Sequence, residues 1–109
     1  MRTLPFAIAL ALVPLTPMYT SHIEACKDAF VAKVSTAHHY IETGTGDVFK
    51  YDGRDQSTVS RSFAVMTDIW VCGPTTVFGS KANIYELRSK NFGQAVSTQY
   101  LCNATNNTC

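Results

Sequence analysis

The 109-residue sequence predicts an α+β domain, one amphipathic helix followed by short strands, held by two disulfides. Three observations carry that reading. Phe30, Val34, Ala37 and Ile41 recur at offsets of four, seven and eleven, the spacing of one helical face. Behind Gly44 and Gly46 come short runs of strand-forming residues, beginning with Val48, Phe49 and Tyr51. Four cysteines follow an apolar leader, the pattern of a small exported domain stapled by disulfides.

Residues 1–21 read as a secretory signal peptide. Arg2 supplies a positive charge, and Leu4–Leu15 is an uncharged apolar run containing Pro5 and Pro14. It is too short and too broken by proline to span a bilayer as a helix. Cleavage is placed between Met18 and His22. Residues 22–109 then suffice for one small domain. The nine Lys+Arg and eight Asp+Glu become eight against eight once Arg2 is removed. That balance argues against broad polyanion binding, which needs a basic patch. It leaves room for a local one built from Lys33, Lys50, Arg54 and Arg61.

The helix opens at Val31 and ends at Thr43-Gly44-Thr45-Gly46, because glycine takes a positive-φ stop without a Cβ penalty. Val48 to Tyr51 resumes as strand, and Asp52-Gly53-Arg54-Asp55-Gln56 is a polar turn. From Thr58 to Met66 the residues alternate, with Val59, Arg61, Phe63 and Val65 on one side, and predict another strand. Asp68–Cys72 is an apolar run stopped by Gly73-Pro74, and Thr75–Phe78 a short extension. Ala82–Arg88 and Gln94–Cys102 form a hairpin whose loop ends on Gly93, able to take the left-handed position.

Cys26, Cys72, Cys102 and Cys109 allow three pairings. The favoured set ties the two ends of the mature chain, Cys26–Cys109, with Cys72–Cys102 inside it. The adjacent His38 and His39 and the wide cysteine spacings match no zinc pattern, so neither metal nor cofactor is expected. The tail carries two glycosylation sequons, at Asn103 and Asn106.

Catalysis needs a base, an acid and a charge stabiliser in one place. His38 and His39, consecutive on the expected helix, point about 100° apart and cannot act as a pair. No serine stands in a G-x-S-x-G elbow and no paired-carboxylate spacing rises above background. Motif by motif, the chain is not an enzyme.

The order of residues nevertheless resembles a family. Val34-Ser-Thr-Ala37, then Phe49-Lys-Tyr-Asp-Gly53, then a strand pair and a last cysteine resemble the secreted fungal guanyl-specific ribonucleases of the T1 type. The resemblance implies a helix packed on a twisted antiparallel β-sheet and supports Cys26–Cys109. Cys72–Cys102 would be an addition to that pattern. At the catalytic positions the match fails: Phe49 stands in place of the first histidine, Thr67 near the glutamate, Asn83 for the arginine and Thr98 for the second histidine. None of these can shuttle the proton or hold the phosphate charge. The base-recognition loop fares better, with Tyr51 and Arg54 as stacking planes and Asp55 as an acceptor for a base edge.

An exported chain of this outline without a catalytic set resembles the ribonuclease-like effectors of powdery mildew fungi, plant pathogens that deliver such proteins into host tissue. The resemblance implies a monomeric pseudoenzyme and virulence factor, acting by binding a host protein, RNA, or both, with no membrane contact. One rival is an active extracellular ribonuclease using His38, Asp68 and Arg61, which RNA turnover would reveal. The other is a small disulfide-stapled toxin of some other fold.

Overall fold

The computed structural model describes residues 25–77 and 80–109. The expected signal segment and Phe78, the end of one expected strand, lie outside the described residues. The chain folds into a closed antiparallel barrel, which overturns the helix-on-sheet architecture and with it the T1-like fold. β1 (Cys26–Ser35), β2 (Tyr40–Thr43) and β3 (Asp47–Tyr51) form a first meander. A 3-10 turn (Gly53–Asp55) and α1 (Gln56–Ser62) lead across to β4 (Asp68–Cys72). The two-residue strands β5 (Thr76–Val77) and β6 (Ser80–Lys81) make a separate ribbon. β7 (Ile84–Ser89) and β8 (Ala95–Asn103) then complete a second meander with β4. Two seams, β1 with β4 and β3 with β8, join the meanders and close the barrel.

The core follows from strand parity. In β4, Ile69 and Val71 point inward while Asp68 and Trp70 point out. In β8, Val96 and Thr98 are buried between exposed Ala95, Ser97 and Gln99. β3 breaks the rule: Val48 and Phe49 are both buried, because a register shift falls between them. Val31, Ile41, Phe49, Tyr51, Ile69 and Leu87 pack together with Val59 of α1 and Phe63, its C-cap.

Residues 31–42, read above as a helix, are the β1–β2 hairpin. The apparent helical stripe does not share a face. Ile41 is fully buried and Val34 partly, while Phe30 is exposed and Ala37 sits in the turn. Val31, Val34, Ile41 and Thr43 are β-branched and favour a pleated surface. Ser35 starts the turn by accepting the His38 N–H on its hydroxyl at 3.1 Å. His39 closes it in the left-handed region, at φ 56°.

The opposite exchange occurs at residues 58–66, read as a strand. Gln56–Ser62 is helical, and Val59 and Phe63, four residues apart, enter the core from one face. The expected 68–72 strand and the 82–102 hairpin are present, with Gly93 at φ 68° in the hairpin loop. The disulfide pairing also differs from the expected one. Cys26 bonds Cys72 and Cys102 bonds Cys109. Cys26 and Cys72 are direct partners across the first seam, so the sheet register itself selects that bridge. The tail folds back on the end of β8, and the two ends of the domain are not tied.

Candidate functional site

Tyr51 ends β3, and Asp52, in extended conformation, turns the chain. The Asp52 carboxylate accepts the Arg54 backbone N–H at 2.8 Å, which caps the 3-10 turn. It also receives the Arg54 guanidinium as a fork, Nε at 3.3 Å and Nη2 at 3.2 Å. That side-chain bond, then the backbone bond, holds the Asp52 carboxyl below the usual carboxylate range, and the side-chain bond, then the Asp52 charge, raises the Arg54 guanidinium. Arg54 is 88% exposed, so the pair is a solvated one. Gly53 leaves room for His39: a Cβ there would stand 3.1 Å from the imidazole Cε1.

Because β3 and β8 are paired, this turn faces Ser97, Thr98 and Gln99. Together with Lys50, Arg54, Asp55 and Ile84 they line a groove of about 410 Å³. The structure thus collects the predicted Tyr51, Arg54 and Asp55 with Thr98. Their roles differ from the expected ones. The Tyr51 ring is buried, and its hydroxyl donates to Gln56 Oε1 at 2.7 Å. It forms the wall of the groove and offers no free face for a base. Arg54 is neutralised by Asp52, and the acidic Asp52 and Asp55 balance Lys50 and Arg54.

Of the positions taken from the ribonuclease resemblance, Phe49, Thr98 and Asn83 fall on the adjoining strands β3 and β8 and at the start of β7, whereas Thr67 is set apart. Phe49 lies in the core, edge-on to Tyr85 and Tyr100 with ring centroids 5.4 and 5.5 Å away. Thr98 is buried and donates to the Tyr85 carbonyl at 2.9 Å. Thr67 immediately precedes β4 and Asn83 immediately precedes β7. The antiparallel register, Ile69 opposite Ser89 and Cys72 opposite Glu86, sets them at opposite ends of that pair. Asn83 spends its amide on the Tyr100 carbonyl at 2.8 Å. The alternative set is scattered. Asp68 pairs with Phe30 while His38 follows Ser35, so much of β1 separates them, and Arg61 lies exposed on α1.

A second surface was missed by the sequence reading. On the outer face of the first seam, Phe30 is 40% and Trp70 39% exposed. Lys90, from the β7–β8 turn, sits over the Trp70 ring, 3.9 Å from its centroid, and pairs with Asp28. Phe30 lies against Gly44, where a Cβ would fall 2.3 Å from the ring. A recess of about 470 Å³ lies here, lined by Asp28, Phe30, Gly44, Thr45, Asp68 and Lys90. The signal was available: Trp70 shares the parity of Asp68, two residues before it, which marks it as outward-facing.

Among the described residues, no histidine imidazole is hydrogen-bonded to a carboxylate or hydroxyl, the His38 bond to Ser35 coming from its backbone N–H, and no cluster suits a metal ion. No described helix is long and apolar enough to cross a membrane. No protein-family model, no curated protein and no solved structure matches this chain.

Proposed function

We propose that this chain is an exported effector-type protein that acts by binding a host protein and carries out no catalysis. The observation that carries the reading is the pair of large aromatic rings exposed on adjacent strands of the first seam, Phe30 and Trp70. Aromatic side chains ringed by polar groups are the usual anchors of protein interfaces. Asp28, Asp68 and Lys90 supply such a surround. Two disulfides in a domain this small fit an oxidising compartment. The effector reading keeps export and binding, and leaves the T1-type fold behind.

A protein partner is preferred to RNA on the chemistry of the groove. Stacking needs an open aromatic face and phosphate binding needs uncompensated charge. Tyr51 is buried and Arg54 is matched by Asp52. Lysine-directed cross-linking in host leaf extract tests the reading, comparing the wild type with the Phe30→Ala/Trp70→Ala double variant. The wild type is expected to yield host-protein cross-links at Lys27 or Lys90 that the double variant loses. Cross-links that persist undiminished in a folded double variant overturn the assignment. So does RNA hydrolysis by clean protein, since each missing catalytic group typically costs about 10²-fold or more.

A further inference from the structure

The two sequons of the tail, three residues apart, stand in different chemical situations. Asn103 is the last residue of β8, opposite Asp47 across the second seam. Its side-chain Nδ2 donates to the Asp47 carboxylate at 2.8 Å and to the Thr45 carbonyl at 3.1 Å. An amide nitrogen has two hydrogens, and both are used. Its Oδ1 accepts the Asn106 N–H at 2.9 Å, and its backbone exchanges bonds with the Thr108 hydroxyl. Thr105 adds a bond from its hydroxyl to the Thr45 carbonyl at 3.2 Å. Gly46 makes the fit possible: a Cβ there would stand 2.2 Å from Thr105 Oγ1 and 3.0 Å from Asn103 Oδ1. The contrast lies in the amide: Asn106 is exposed on the loop closed by Cys102–Cys109, and no described residue bonds its side-chain amide. The Thr108 hydroxyl of its sequon is held on the Asn103 backbone.

We infer that Asn106 is the glycan acceptor of this protein, and that Asn103 is a clasp whose amide nitrogen is withheld from modification. The inference rests on the export reading only in that the chain must meet the glycosylation machinery. The donor class is an oligosaccharide carried on a polyisoprenyl diphosphate. Asn106 Nδ2 forms a bond to the anomeric carbon and gives up one proton to solvent, while the bond from that carbon to the diphosphate oxygen breaks and the lipid diphosphate leaves with the bonding electron pair. The same reaction at Asn103 would remove a hydrogen that the clasp uses and place a sugar between the tail and the β2–β3 turn.

The test uses the full chain behind an unrelated cleavable leader, so that delivery does not depend on its own N-terminal segment. Secreted, folded protein is sized before and after enzymatic deglycosylation. One glycan per chain is expected, lost in Asn106→Gln and kept in Asn103→Gln. Two glycans per folded chain, none, or one that survives Asn106→Gln overturns the inference. A second measurement needs no glycan. Asn103→Asp in unmodified protein sets a second carboxylate against Asp47, and is expected to lower the melting temperature by about 4–8 °C. Asn106→Asp should leave it unchanged, and equal shifts overturn the clasp. Failure of the chain's own first residues to direct export, measured without the added leader, would count against the export reading alone.

Discussion

The two seams that close the barrel are held by different forces. At the first, β1 against β4, a covalent bridge joins directly paired residues, Cys26 and Cys72, 46 positions apart in sequence. At the second, β3 against β8, no covalent bond crosses. Asp47 there receives Asn103 Nδ2 at 2.8 Å and the Tyr100 hydroxyl at 3.3 Å, and the disulfide beside it closes a seven-residue separation within the tail. The difference follows the chain. Both seams join strands distant in sequence, and such pairing must repay loop-closure entropy before it contributes. The first seam is fastened by a crosslink, whereas the second relies on polar groups placed by a turn and a tail.

Removing each disulfide is the strongest way to break this comparison. In the chain-entropy model a 46-residue loop contributes about 4 kcal/mol and a seven-residue loop about 2.4 kcal/mol. Cys26→Ala/Cys72→Ala should therefore cost more in a denaturant melt than Cys102→Ala/Cys109→Ala. Cys72 is fully buried, so the first replacement also disturbs the interior, which acts in the same direction. Equal losses, or a larger loss from the tail pair, would mean that the second seam is the one on which closure depends.

Much of the second meander could be read from the sequence. β4 reads as an apolar run, β7 and β8 as the arms of a hairpin, and they are bounded by Gly73-Pro74 and Gly93. The first meander could not. Phe30, Val34, Ala37 and Ile41 satisfy a helical period, and only the strand pairing of β1, Phe30 against Asp68 of β4 and Val31 against Thr43 of β2, sets Phe30 outside and Val31 inside. Val59, Arg61 and Phe63 satisfy a two-residue period equally well, although only Val59 and Phe63 of the three enter the barrel core, from a helix and its C-terminal end. Short segments of this kind carry two periods at once, and tertiary packing decides. The disulfide pairing depended on the register of the first seam, and so was beyond reach without the fold. At the groove, Tyr51, Arg54 and Asp55 do gather. The burial of Tyr51 depends on Gln56 and on the β1–β2 turn, neither of which composition reveals.

The second seam also carries the alkaline sensitivity. Tyr51 lies in β3 and Tyr100 in β8, and burial raises both phenols above their ordinary value, with Asp47 adding to the rise at Tyr100. Above pH of about 10 the unfolded chain has lost phenolic protons that the folded chain retains, so stability falls as the pH rises through that range. Below it the contribution is fully present. Tyr100→Phe should cost about 1 kcal/mol at neutral pH, through the lost bond to Asp47, and should flatten the decline between pH 9 and 11. Melts across that range check both parts. An unchanged alkaline slope in Tyr51→Phe and Tyr100→Phe together would remove the tyrosines as its cause.

The smallest effect sharpens the first seam. Lys90 reaches from the β7–β8 turn across Trp70 to Asp28, linking β1 to the second meander by charge as Cys26–Cys72 links it by a bond. The site is partly exposed, so a cation over an indole contributes about 0.5–1 kcal/mol, and the solvated ion pair little more. Lys90→Gln should therefore hardly move the melt. The chain holds a single tryptophan, so its emission reports this contact without interference from another indole. With the ammonium gone, the Trp70 ring is open to water, and a neutral quencher such as acrylamide should reach it more easily. In the wild type, rising salt should weaken the Lys90–Asp28 pair and drive quenching part of the way toward the variant's value. Identical quenching of wild type and Lys90→Gln at low salt would show that Lys90 does not cover the ring in solution. The aromatic face proposed for the partner would then be more open than the geometry implies, while the disulfide would stand as the sole link tested across that seam.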